Sequence, residues 1–191
     1  MRVSREQAAE NRARIVAVAS ALFREKGYDG IGVADIMRAA QLTHGGFYGH
    51  FESKDDLAAQ ASRAALEKSV AKWQAIASAE GDRTFAALVA SYLQPSHRDN
   101  AGRGCALTSL GGDAARQSKP LRTVFRDGLM RLVDILGASI PGTRAARRKR
   151  ALAAMAQMVG AIVLARAVDD AALSDEILAA ARHDLVARNE A

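Results

Sequence analysis

Alanine fills 42 of the 191 positions, and the residues that favour strands are too thinly spread to counter it. Alanine enters a helix without losing side-chain entropy, whereas aromatic and β-branched residues are the natural content of pleated sheet. Aromatics make up only 5% of this chain. The three prolines, Pro95, Pro120 and Pro141, fall between periodic segments, where they punctuate helices rather than break them. No stretch alternates apolar and polar residues for long enough to build a half-buried strand. The expected fold is therefore all-α. At 49% hydrophobic residues the chain has ample material for a packed core, which excludes disorder and collagen-like structure. Its length suits one ordinary domain, or a small module joined to a larger one.

Several functional classes drop out at once. With Cys105 as the lone cysteine, no intramolecular disulfide can form, which fits a reducing compartment. The first fourteen residues, MRVSREQAAENRAR, are polar throughout and lack the apolar run of a secretory signal. The longest uncharged apolar stretch, Ala151–Ala165, is shorter than the roughly 18 residues that a membrane span needs. The expectation is a soluble cytoplasmic protein with no membrane partner. A net charge of +6 hints at a polyanionic partner. That excess is unevenly placed. Residues 1–56 hold eight basic and eight acidic side chains, so all of it lies in the remainder of the chain.

Along the chain, Ile15, Val18, Leu22 and Phe23 recur at helical spacing, which predicts an amphipathic helix from about Ser4 to Lys26 closed by Gly27. Two very short helical patterns follow, Val33–Ala40 and about His44–His50, separated only by Gln41, Leu42 and Thr43. Ser53 then precedes Lys54-Asp55-Asp56, an N-cap with first-turn acids, and opens a long helix through Leu57, Leu66, Val70, Trp73 and Ile76. Later helices are expected over about Arg83–Gln94, Cys105–Gln117, Leu121–Ile140, Thr143–Val168 and Leu173–Ala187. The polar stretch Ser96–Gly104 reads as a mobile loop.

Two short helices joined by three residues form the helix-turn-helix pattern, whose second helix enters the DNA major groove. Spacing alone also allows an ordinary tight helical corner. Ile36, Met37, Ala40, Leu42, Phe47 and Phe51 supply a small core that could pack on Ile15, Leu22 and Phe23. The segment Ile31–Lys54 resembles the N-terminal domain of the TetR family of bacterial transcriptional regulators. The most specific part is Thr43-x-Gly45-x-x-Tyr48-x-His50-Phe51, followed by Lys54 and Leu57, and the likeness runs from about Arg12 to Leu57. It implies a three-helix DNA-binding domain over residues 1–52. A long helix would join this to a larger ligand-binding and dimerisation domain over residues 53–191. It further implies a homodimer that binds a palindromic operator and releases it on binding a small molecule; the regulator expected here is a repressor rather than an activator, released by a small-molecule or thiol-reactive inducer.

Carried onto this chain, the resemblance makes Thr43 the cap of the recognition helix, and a possible phosphate contact. Tyr48, His50 and Lys54 fall at backbone-contacting positions, where their donors position the protein without reading bases. His44 falls at a base-reading position, with ring nitrogens able to meet a purine edge. Gly45 and Gly46 let the helix backbone approach the groove closely. Departures from the family pattern are Gln41, where glycine is usual in the turn, and Gly32, where threonine is common. Gly46 and Gly49 remove side chains that would otherwise read bases, so direct readout rests on His44, helped by Tyr48 and by Arg2 or Arg5 from an N-terminal arm. The alternatives are a solvent-facing His44 without a role and a Tyr48 at the edge of the core.

Elsewhere the chemistry is sparse. The four histidines, His44, His50, His97 and His183, are scattered, and none pairs with Cys105 at zinc spacing, so no metal or cofactor is expected. No nucleophile with a positioned base can be assembled, so no enzyme is expected. Cys105 follows Gly102-Arg103-Gly104 and opens a helix, and a helix N-terminus lowers a thiol's pKa. It is either a sensor of oxidants and electrophiles or a small buried hydrophobe. Trp73, Phe85, Tyr92, Leu107, Phe125 and Met130, with Cys105, are candidate ligand-pocket residues that would serve equally as plain core. The stripes Leu152-Met155-Val159-Ile162 and Ile177-Leu178-Ala181-Leu185 suit a dimer interface, which the resemblance also implies for the last two helices, or intrachain core. The run Arg144, Arg147, Arg148, Lys149 and Arg150 is either a solvated face or an anion contact. The competing functional reading is a helical thiol-reactive redox protein with a non-functional DNA-binding module.

Overall fold

The computed structural model describes residues 4–190 and, among these, contains helices and no strands. Helix α1 (Arg5–Lys26) is capped by Ser4, whose hydroxyl accepts from the Gln7 N–H at 3.1 Å. Helix α2 (Val33–Ala39) is followed by a six-residue 3-10 helix, His44–Gly49, at the place where the second short pattern was expected. Three glycines in those six residues weaken the α-helical preference, and so short a segment closes with the tighter hydrogen-bonding pattern. Helix α3 (Lys54–Glu80) starts with a reciprocal cap. Ser53 Oγ accepts from the Asp56 N–H at 3.0 Å, and the Asp56 carboxylate accepts from the Glu52 N–H at 3.3 Å.

The N-terminal helices close on the apolar set that the sequence singles out. Ile15, Phe23, Ile36, Met37, Phe47 and Leu57 are fully buried, with Leu22 and Leu42 packed at the edge. Burying a side chain of this size is worth about 1.5–3 kcal/mol, so this cluster fixes the angle between α1, α2 and the 3-10 helix. The turn between α2 and the 3-10 helix has one unusual residue. Gln41, at φ 58°, occupies the left-handed region that normally falls to glycine. Tyr28 anchors the preceding loop to α3 by a 2.6 Å hydrogen bond with Ser62.

Beyond α3 come α4 (Thr84–Tyr92), α5 (Pro95–Asp99), α6 (Ala106–Ala114), α7 (Lys119–Ala138), α8 (Arg144–Ala167) and α9 (Ala171–Glu190). Helices α3 and α7 cross closely at Gly128, where a Cβ would lie 2.7 Å from Leu66 Cδ1 and 3.0 Å from its Cβ. Helices α8 and α9 pair through Met155, Ile162, Leu178 and Leu185, all buried. By length and composition α8 could cross a bilayer, but here Ala151, Met155, Met158 and Ile162 are turned into the fold. The basic run ahead of this stripe is largely solvent-exposed, with Arg150 tied to the Arg188 carbonyl at 2.9 Å.

The expected mobile loop is instead a folded strap. Pro95–Asp99 is helical and Ala101–Arg103 forms one 3-10 turn. Its backbone carbonyls are taken by arginines from distant helices. Arg24 of α1 donates to the Gly102 carbonyl, and Arg166 of α8 donates to those of His97 and Arg98 at 2.7 and 2.8 Å. Arg98 in turn reaches Asp175 of α9 at 2.5 Å. Local polarity concealed this, because the partners lie some 70 residues away in the chain.

Candidate nucleic-acid interface and internal cavity

The 3-10 helix presents two opposite faces. Phe47 is wholly buried and packs edge-on to Tyr48, with ring centroids 5.2 Å apart, and Phe51 is buried beneath it. Tyr48 itself is 72% exposed, which excludes a core-edge role. Thr43, His44, Gly45, Gly46 and Gly49 are all exposed, and a Cβ built on Gly45 or Gly49 would meet nothing within 4 Å. The segment is thus a strip of accessible backbone with one imidazole and one phenol projecting from a rigid aromatic base.

Some expected roles need correction. Thr43 makes no side-chain cap; only its backbone carbonyl is engaged, accepting from the Gly46 N–H at 3.1 Å. Its hydroxyl thereby stays free for an outside partner. Arg5 is the first residue of α1 rather than part of an arm, and Arg2 lies outside the described residues. His50 and Lys54 are partly buried at the junction with α3. Arg12, which the motif did not single out, lies beside this surface. Its guanidinium sits 5.0 Å from the Phe51 ring centroid, and its Nε donates to the His50 carbonyl at 3.4 Å. An exposed arginine between aromatic and carbonyl is a fixed donor for a phosphate. It went unremarked because it is 38 residues from His50.

The second feature is a cavity of about 410 Å³ enclosed by α1, α3, the end of α4 and the strap. Trp73, Tyr92 and Cys105 line it, as the sequence suggested. Phe85, Leu107 and Phe125 do not; they are buried in the helical core, and Met130 is partly buried against it. Residues the sequence reading missed include Arg24, Lys68, Ser69, Lys72, His97 and Arg103. Lys68, Ser69, Lys72 and Trp73 are spaced i, i+1, i+4 and i+5, the spacing of one helix face, which is the signal that could have found them.

His97 is locked at the cavity edge. Its Nδ1 lies 2.7 Å from the Tyr92 carbonyl, and its Nε2 accepts from the Cys105 N–H at 2.9 Å, which fixes a neutral ring with the proton on Nδ1. Burial is the main reason its pKa falls to about 4, with the charges of Arg166 and Lys72 acting in the same direction. Cys105 is the N-cap of α6, yet it is buried, and burial pushes its thiol up rather than down. Desolvation outweighs the helix terminus and the hydrogen bonds reaching the sulfur. The thiol therefore lacks the activation that a reactive cysteine requires.

An exposed short helical segment on a three-helix core, joined by a 27-residue helix to a larger helical bundle, is the arrangement of a helix-turn-helix module carried on a second helical unit. Comparison with known proteins shows what it resembles. Residues 15–61 match the family described as bacterial regulatory proteins, tetR family. Over 126 residues the chain is 29% identical to the HTH-type transcriptional repressor DhaR of Mycobacterium sp. (strain GP1), covering 64% of this chain and 60% of that protein. A TetR transcriptional regulator from Chloroflexus aurantiacus superimposes with a TM-score of 0.78 at 27% identity, covering 94% of each chain. The reduced form of NemR from E. coli shares the fold, with a TM-score of 0.77 at 18% identity over 92% of this chain and 95% of that one. Residues 15–61 thus resemble the DNA-binding segment of the tetR family, on a fold shared with solved TetR-family regulators.

Proposed function

We propose that the chain acts as a homodimeric repressor that binds a palindromic operator and is released by a small molecule held in its larger domain. The observation that carries the DNA-binding part is Tyr48, 72% exposed on a buried Phe47 and Phe51 base beside His44 and Thr43. An aromatic side chain held out in water at a rigid site is suited to contact another surface. Tyr48, His50, Lys54 and Arg12 supply phosphate donors. His44 supplies base readout, which is thin because Gly45, Gly46 and Gly49 carry no side chain. Division of the chain at residues 52 and 53 belongs to this reading.

The dimer is supported by the far face of the last two helices. Leu152, Val163, Leu164 and Leu173 are exposed, and Gly160 between them has open space on its outer side. Met155, Ile162, Leu178 and Leu185 are already used within the chain, so the self-association surface is the outer set. Two recognition segments on one duplex face must lie roughly 34–36 Å apart, which a second copy would provide.

Ligand response is supported by two connections. Helix α3 runs from the DNA-facing junction at Lys54 to the cavity wall at Lys68–Trp73 without a break. Arg24 lines the cavity from α1 while holding the strap at Gly102. A ligand that displaced either would shift the DNA-binding helices. The likeness to a repressor, DhaR, supports a negative sign for the regulation. Between a thiol-reactive inducer and a reversible ligand, the buried, raised Cys105 thiol favours the latter. Sedimentation of the full chain, alone and with duplex DNA, tests the assembly. A dimer at micromolar concentration that loads as a dimer is expected, and a monomer in both conditions would contradict it.

A further inference from the structure

The cavity has a chemical bias beyond ligand response as such. Three exposed cations, Lys68, Lys72 and Arg103, stand at its mouth, and the buried Arg24 reaches its floor. Among the described residues no carboxylate lines it, and none of these four cations is in an ion pair. Glu25 acts on Arg24 from outside the lining, where its side chain lies against Gly102.

A second observation points the same way. The Tyr92 hydroxyl is fully buried with no well-formed hydrogen bond among the described residues, its polar neighbour being the Cys105 thiol, a weak acceptor. Buried polar atoms nearly always have good partners, and leaving one matched only by a weak acceptor is unfavourable, so this donor in a wall residue favours a stronger acceptor there. Burial, reinforced by the neighbouring Cys105 thiol, holds this phenol well above its ordinary ionisation range, so it remains a donor. The other walls, Ala65, Trp73 and Leu132, are apolar. The net positive charge of the chain, all of it beyond residue 56, is concentrated in the part that holds this site.

We propose that the cavity binds a small organic carboxylate, with one oxygen accepting from the Tyr92 hydroxyl, the charge held by Lys68 and Lys72, and the apolar body against Trp73. This names the ligand class for the regulator reading above and rests on it.

Trp73 is the only tryptophan, so its emission reports the site directly. Full-length protein is titrated with benzoate and hexanoate, and in parallel with benzamide and hexanamide, which match them in shape without the charge. A saturable change with the carboxylates and none with the amides is expected. Tyr92→Phe keeps the ring and removes only the hydroxyl. It should weaken carboxylate binding about tenfold, the value of a hydrogen bond to a charged group, and raise the melting temperature of the unliganded protein. Lys68→Gln with Lys72→Gln, both at exposed positions that leave the core intact, should weaken it by a further tenfold or about that, and flatten its salt dependence. Equal binding of amides and carboxylates would overturn the proposal. So would unchanged affinity in the folded Tyr92 or lysine variants, or no saturable response to either carboxylate up to about 10 mM, a bound of roughly −3 kcal/mol. The titration contains no DNA. A chain that binds benzoate but no duplex would sink the regulator reading alone, and the reverse result would sink this one alone.

Discussion

Acidification should unlock the strap through His97. In the folded chain this ring is held neutral between the Tyr92 carbonyl and the Cys105 N–H, with Arg166 of α8 and Lys72 of α3 facing it, and its pKa is about 4 against an ordinary 6.5. The unfolded chain therefore binds the proton more readily, so stability is fully present above pH 6.5 and drains away as the pH falls through about 4. Linkage puts the loss at about 1 kcal/mol near pH 5.5 and about 3 kcal/mol near pH 4. Urea unfolding at a series of pH values measures it. The quantity to compare is wild type minus His97→Gln, which isolates this ring. The glutamine amide can donate to one side and accept on the other without titrating. Parallel stability curves for the two proteins between pH 7.5 and 4 would refute the locked neutral ring.

Other perturbations test other parts of the structure. Gln41→Gly removes a left-handed strain that costs an L-residue about 1–2 kcal/mol, partly offset by glycine's greater freedom when unfolded, so a gain of about 0.5–1 kcal/mol is expected in urea. A loss of stability would show that Gln41 makes contacts worth more than its strain. Gly128→Ala forces a methyl onto Leu66 at the α3–α7 crossing and should cost about 1–3 kcal/mol by the same assay; a neutral result would deny the close approach. His44→Ala should relax sequence preference, whereas Lys54→Ala should weaken binding to all duplexes alike and flatten the salt dependence. Titrations of both on operator and scrambled DNA check this, and equal, sequence-independent losses would refute the division of roles. Cys105→Ala protein should respond to peroxide as wild type does, since the buried thiol is raised rather than activated. A response confined to wild type would restore the sensor.

What the sequence disclosed followed the range of the interactions. The cap at Ser53 and the short turn after α2 are local, and they stand where residue type and spacing put them. Phe47 and Phe51 are in the core where their spacing put them, and the exposure of Tyr48 decides between its two readings in favour of the outside. The strap at 95–104 reads as loop in any window of ten residues, because Arg24 and Arg166, which satisfy its carbonyls, come from opposite ends of the chain. The cavity suffered the same way. Apolar residues such as Phe85 and Phe125 were natural guesses for a pocket, but they are what fills the core, and the space left open is edged by cations instead. Of the two readings that Cys105 allowed, its burial, which pushes the thiol up despite the helix start, favours the small buried hydrophobe.

The central claim is that two copies of the His44–Gly49 segment read DNA together, and one measurement addresses it directly. Duplexes bound by the full-length protein are selected from a random pool and sequenced. The structure and the family likeness predict a palindrome whose half-sites are centred about one helical turn apart, roughly 10–10.5 base pairs or a multiple of that, with weak preference inside each half-site because His44 reads almost alone. Enrichment of a single unpaired site, or no enrichment over the starting pool at moderate salt, would contradict it.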